Sequence, residues 1–414
     1  MKILVSAVAC SPYHGSEGYF GWSAVLALVR DHELWVLTHS RNQPELDRAA
    51  AEGLVPANVR FAYAGDFKPW HPNRLLARLQ SWREYQRFSR AILPVARELH
   101  ARERFDLVHH VTYATWRVAS PLWQLGIPFV FGPIGGYEQF PARFFPILSP
   151  SAAGFELARM GSNLVSRFSP TVRRSLQKAA HVFAANAETE QLTKAIRGRG
   201  NDVSLLLPGF YSAASVESFA RFVPDKSVDG PLRLFAAGNM EGRKGVALAL
   251  EALARAKTAG VRFHYRLGAG GPEIAHLKNL VARLGLTAEV TFGEGLHGEA
   301  YQRELGATHV FLLPSFRESA GLTMMEAMLA GCVPVVVNRG GPGLIVTEEC
   351  GFRLPATNHR QLVAQLTEAI IAIDRNRNLI RAKGGAASQR IASGFSEENY
   401  RAMINAVYQT VTGA

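Results

Sequence analysis

Cysteine is scarce: Cys10, Cys332 and Cys350 are the only three in 414 residues, and none forms a Cys-x-x-Cys pair. That excludes a disulfide framework and a cysteine-based zinc site, and it suits a reducing compartment. Long apolar runs are missing too. Spanning a bilayer takes roughly 20 apolar residues, and the stretch PLWQLGIPFVFGPIGG is broken by Pro128, Pro133 and glycines. The opening MKILVSAVAC ends like a lipoprotein cleavage site at Cys10, but its apolar part is short and reads as a buried first strand. No low-complexity tract occurs. The expected location is therefore cytoplasmic.

Acidic residues are also in short supply. The chain holds 46 Lys and Arg against 34 Asp and Glu, a formal charge of +12. The excess concentrates in Lys68–Arg104, with nine basic and three acidic residues, and in Arg143–Lys178, with six and one. An anionic partner of the first half is one reading, and a solvated basic surface is the other. At about 100° per residue, Arg83, Arg87, Arg90 and Arg97 share one helical face. Tyr85, Phe88, Ile92, Val95 and Leu99 lie opposite, with Pro94 among them. Such a face suits peripheral, salt-sensitive contact with an anionic membrane and equally suits a plain solvated helix.

What the chain does have is alternation. Short β-branched runs are separated by longer helical patterns, which implies βα units and parallel sheets. The first half offers KILVSAVA, HELWVLTH, VRFAYAG, DLVHHVT, PFVFGPI and HVFAAN. After the polar stretch RFVPDKSVDGP at 221–231 the pattern begins again with LRLFAAG, VRFHYRLG, EVTFGEG, HVFLLPS and VPVVVN. Two doubly wound α/β domains are expected, 1–220 and 221–395. A final helix over 396–414 would have a stripe of Tyr400, Met403, Ile404, Val407 and Val411, and would pack back on the first domain. In such sheets ligands bind at the carboxyl ends of the strands.

Several strand-to-helix turns are rich in glycine. After the first strand stand Gly15, Gly18 and Gly21, a spacing that suits a backbone approaching an anion but equally suits tight turning. A dinucleotide site would need an acid after the second strand; LTHSRN has none, and only Arg41 keeps an NADP-dependent oxidoreductase in view. In LFAAGNMEGRKGVALALEAL, Arg243 and Lys244 follow Gly238 and Asn239 at the expected start of a helix. First turns favour acids, so two cations there point to a clamp for a diphosphate. Gly268, Gly270 and Gly271 form another such turn. Finally, FRESAGLTMMEAMLAGCVPVV places Glu318 in a loop and Glu326 inside the following helix, at most about 12 Å along its axis. A helix opening at Ser319–Gly321 leaves N–H groups for an anion between the two carboxylates. That order suits a nucleotide sugar, with Glu326 on ribose hydroxyls and Glu318 on the sugar.

These motifs resemble the family 4 glycosyltransferases of the GT-B fold, a class that is retaining and metal-independent. The resemblance rests on RKG, LGAGGPE, the Glu-x7-Glu pair and GG at 340–341, and, in the first half, on GSEGYFGW, HHVTYATWRV and GPIGG as in a bacterial subgroup. It implies two Rossmann-like domains facing a central cleft. Gly15 and Ser16 would contact the diphosphate from the first domain, and Arg243 and Lys244 from the second. Gly238, Asn239, Gly270, Ser319, Ala320, Gly321 and Leu322 would line the donor site. A histidine facing the donor sugar would be His109, because one of His109 and His110 must point inward. The expected partners are a nucleotide sugar and a glycan or lipid-linked acceptor, with no nucleic acid and no cofactor. No Asp-x-Asp occurs, so no bridging metal is expected. Two positions depart from the pattern. Asn239 stands where the family often has arginine, and GLIV follows GGP where a glutamate is usual, so that Glu348 or Glu349 is displaced. A GT-B protein that binds without catalysing remains an alternative.

Overall fold

The computed structural model describes the chain apart from residues 14–15, 67–73, 114, 199–201, 225, 269 and 414. The fold divides into two compact units. The first is Met1–Glu138 with Gly161–Pro208 and Glu398–Ala414; the second is Gln139–Met160 with Gly209–Glu397. The chain passes between the units four times, after Glu138, Met160, Pro208 and Glu397, where one boundary at 220 and a returning last helix were expected. The stretch 221–231 is also no free linker: Lys226 is buried in the second unit, donating to the carbonyls of Leu305 (3.0 Å) and Thr308.

The first unit is built on seven parallel strands: β1 (Lys2–Ala7), β2 (Glu33–His39), β3 (Val59–Ala64), β4 (Leu107–Thr112), β5 (Phe129–Ile134), β6 (His181–Ala184) and β7 (Val203–Leu205), in the order β3-β2-β1-β4-β5-β6-β7. Every residue of β4 is buried, including both His109 and His110. The expectation that only one of them points inward fails because helices cover both faces of a parallel sheet. The helix Arg74–Glu103 keeps Arg83, Arg87, Arg90 and Arg97 exposed and buries Tyr85, Phe88, Ile92 and Leu99, with Pro94 inside the helix.

The last helix, Glu397–Thr412, buries Tyr400, Ile404 and Tyr408. Met403, expected in the stripe, is 43% exposed, since the contact face repeats every four residues. Charged and amide groups fasten the helix to the first unit. Arg401 pairs with Asp31 at 2.6 Å. Asn405 donates to Asp31 at 2.7 Å and accepts from Nε2 of His32 at 2.8 Å.

The second unit holds six parallel strands: β8 (Leu232–Ala237), β9 (Phe263–Gly268), β10 (Val290–Gly293), β11 (Val310–Leu312), β12 (Val333–Val337) and β13 (Phe352–Leu354), in the order β10-β9-β8-β11-β12-β13. Two strands, β7 and β13, escaped the sequence reading. Both are three-residue edge strands, too short to show alternation. The strand order reverses between β8 and β11, and the loops leaving those two strands lie side by side at the switch point.

Candidate functional site

The loop after β8 opens with Gly238, whose φ of 106° is a conformation that glycine tolerates. A β-carbon placed there would lie 3.6 Å from Nζ of Lys244. Arg243 and Lys244 sit in a short 3-10 turn, Gly242–Lys244, and the helix Val246–Thr258 begins only after Gly245. The cations thus precede that helix rather than occupying its first turn. Gly245 has φ 66°, and a β-carbon there would come within 2.3 Å of the Pro314 carbonyl oxygen, so the loops after β8 and β11 pack backbone to backbone.

The loop after β11 delivers Glu318 to those cations. Lys244, only 7% exposed, forms an ion pair with Oε1 of Glu318. Arg243 reaches the same oxygen at 3.1 Å and Oε2 of Glu241 at 2.7 Å. Glu241 also accepts from Asn239 at 3.0 Å, and Ser315 donates to Glu318 at 3.3 Å. Two cations thus meet two carboxylates. Burial alone would raise the Glu318 carboxyl, but Lys244 and then Arg243 override it and hold it at about 2. Arg243 is held above its ordinary value: burial works against its charge, and Glu318 and Glu241 outweigh it.

Gly321, with φ 77°, starts the helix Leu322–Leu329, and no side chain caps that end. Gly340 and Gly341 press against the preceding loop. The Gly341 N–H donates to the Glu318 carbonyl at 2.9 Å, and a β-carbon on Gly341 would collide with the Ser319 carbonyl oxygen. The approach that fixes Glu318 and Ser319 therefore requires glycine at 341. Four residues into the helix, Glu326 accepts from the Tyr301 hydroxyl at 2.7 Å. Burial pushes Glu326 up to about 7, and the Tyr301 hydrogen bond offsets this only in part. Burial, followed by the Glu326 charge, raises the Tyr301 phenol well above its ordinary value.

The turn after β9 closes beside these groups. Met240 donates from its N–H to Gly270 at 2.9 Å, and Glu273 donates from its N–H to Met240 at 3.1 Å. Gly270 itself is exposed, with open space where a β-carbon would be. The second unit also includes 139–160. There Ser149 donates to Glu273 at 2.6 Å, Glu156 pairs with Arg317 at 2.7 Å, and Phe140 and Phe144 pack on Phe316. Sequence reasoning missed Glu241, Tyr301, Glu156 and Ser149. Glu241 was legible as the acid two residues before Arg243; the others come from segments distant in sequence, and only tertiary packing joins them to the site.

Not every expected residue joins this group. His109 lies fully buried in the first unit, accepting at Nδ1 from Tyr408 and donating from Nε2 to the Gly132 carbonyl, both at 2.7 Å. Burial depresses it to about 4, so the ring is neutral at pH 7. This is a core histidine that anchors the last helix, which corrects the assignment of a donor-facing role. Arg41 donates to the Tyr113 hydroxyl at 2.6 Å. Gly15 lies outside the described residues; Ser16 begins the helix Ser16–Leu28. Glu348 and Glu349 follow the helix Gly340–Ile345 and are exposed.

Residues 220–383 match the family described as glycosyl transferases group 1. The fold is that of the GT-B glycosyltransferases. Sucrose-phosphate synthase from Thermosynechococcus elongatus superimposes with a TM-score of 0.66 at 18% identity, covering 100% of this chain and 99% of that one. Anabaena Alr3699/HepE, solved in complex with UDP-glucose, gives 0.58 at 17% identity, covering 99% and 100%. A Salmonella typhimurium protein assigned provisionally to colanic acid biosynthesis as the glycosyltransferase WcaL is 27% identical over 190 residues, 44% of this chain and 46% of its own length. The alignment thus spans about half of that relative. The family match takes in Gly238 to Glu326 but not residues 139–160.

Proposed function

We propose that the chain transfers a sugar from a nucleotide-sugar donor to a hydroxyl acceptor, with retention at the anomeric carbon and without a metal. The observation that carries this reading is the joining of Lys244, Arg243 and Glu318 beside an uncapped helix that contains Glu326. The donor diphosphate takes the place of Glu318 on Lys244 and meets the free N–H groups at the start of Leu322–Leu329. Glu318, released from the ion pair, accepts hydrogen bonds from hydroxyls of the sugar. Glu326 accepts from the ribose. As the glycosidic bond breaks, charge grows on the leaving phosphate, and Lys244 and Arg243 stabilise it. No carboxylate is assigned as nucleophile, so same-face attack assisted by the leaving phosphate accounts for retention.

The likeness to a protein named provisionally for colanic acid biosynthesis favours a glycan acceptor, free or lipid-linked, and we place the reaction in the cytoplasm. Thermal-shift measurements with UDP, GDP, ADP and their sugar conjugates test the donor half of the reading, because a ligand that binds only the folded state raises apparent stability. One nucleotide series should stabilise the protein. Stabilisation by none would refute the assignment, and binding without consumption of any nucleotide sugar would identify a non-catalytic module.

A further inference from the structure

The helix Pro150–Phe168 is inside out. Among the described residues, nine large apolar side chains are exposed, and five belong to this helix: Phe155 at 40%, Leu157 at 58%, Leu164 at 61%, Val165 at 74% and Phe168 at 69%. At about 100° per residue, Leu157, Leu164, Val165 and Phe168 fall within about 100° of one another. Glu156, Arg159, Asn163 and Ser166 take up about 80° on the opposite side, and these polar residues are the buried ones. A surface helix of a globular protein shows the reverse arrangement. Apolar side chains exposed singly are ordinary, but a contiguous stripe marks a surface with a partner.

Charge decides which partner. Between residues 150 and 178 the one acid, Glu156, is buried and paired with Arg317. The exposed charges that remain, Arg167 next to the stripe and Arg174 and Lys178 on the helix Pro170–Lys178 that follows, are all positive. No helix among the described residues is long and apolar enough to cross a membrane. We propose that the face formed by Leu157, Leu164, Val165 and Phe168 docks on an anionic phospholipid bilayer, lying in its interface. The four side chains enter the acyl boundary while the neighbouring cations meet lipid phosphates. None of the exposed large apolar side chains among the described residues belongs to Arg74–Glu103 with its cationic face. The docking does not depend on the sugar-transfer reading.

Flotation of the purified full chain with vesicles of phosphatidylglycerol and phosphatidylcholine, or of phosphatidylcholine alone, tests the proposal. The wild type should float with the anionic vesicles, and a residual bound fraction should persist at high salt. Leu164→Asp with Phe168→Asp should lower vesicle affinity at least about tenfold. Both sites are exposed, so the thermal midpoint should not move. Leu164→Cys offers a second readout: the three native cysteines are buried, and an environment-sensitive dye at 164 should shift to the blue on anionic vesicles. No flotation, flotation unchanged by the double substitution, or a dye that stays in water would overturn the proposal. So would self-association that the double substitution abolishes while vesicles remain unbound, which would assign the face to a second copy of the chain.

Discussion

Glu326 and Glu318 are two carboxylates in one unit with opposite electrostatic fates. Glu326 holds a proton up to about pH 7, whereas its ordinary value is 4.5. In the folded state more protons are bound than in the unfolded chain, so its contribution to stability is full below about 4.5 and is lost as pH rises through about 7. Ribose hydroxyls favour the carboxylate form, so nucleotide binding near pH 6.5 should release a proton. Calorimetry in two buffers of different ionisation enthalpy reads this directly, and identical heats would exclude it. Glu326→Ala should weaken the nucleotide by about 1.5–3 kcal/mol, the worth of a hydrogen bond to a charged group. Glu318 behaves in the opposite sense. Its folded value of about 2 lies below 4.5, so the stability it contributes is present above 4.5 and is lost as pH falls towards 2. Glu318→Ala should reduce kcat more than nucleotide affinity. Lys244→Ala should lower kcat by a hundredfold or more, since it acts on charge that grows in the transition state. Steady-state kinetics with and without EDTA measure both effects, and loss of activity on chelation would contradict the metal-free mechanism.

Elements explain why these residues meet. Glu318 and Lys244 are 74 positions apart, but β8 and β11 are neighbours, and Gly245 and Gly341 let the loops close on each other. Gly341→Ala should therefore cost both stability and activity, and a chemical melt indistinguishable from wild type would refute the close-approach argument. The last helix shows what the sequence could and could not reveal. Its existence was legible from its apolar spacing, yet the key contact, Tyr408 on His109, joins positions 299 apart. Neither residue carries a local sign of the other, so His109 reads in the sequence as a ligand and in the structure as an anchor. Tyr408→Phe removes one buried hydrogen bond and should cost about 1 kcal/mol or somewhat more, measured by denaturant unfolding, with kcat unchanged.

At the scale of the whole molecule, the repeat of βα units was plain in the sequence because parallel strands buried on both faces are continuous apolar runs. The cut between units was not. Residues 139–160 join the second unit through Ser149 on Glu273 and Glu156 on Arg317, contacts that composition cannot disclose. The glycine turns and the glutamate pair were legible as a candidate site because each motif is local, and topology then sets the carboxyl ends of β8 and β11 side by side. The account's central claim is sugar transfer with retention from a donor held by these groups. Proton NMR of the protein with α-linked UDP, GDP and ADP sugars, in EDTA and without acceptor, tests it most directly. One donor should be slowly hydrolysed, the α anomer of the free sugar should appear first, and Lys244→Ala should abolish the signal. First appearance of the β anomer, or hydrolysis that Lys244→Ala leaves untouched, would contradict it.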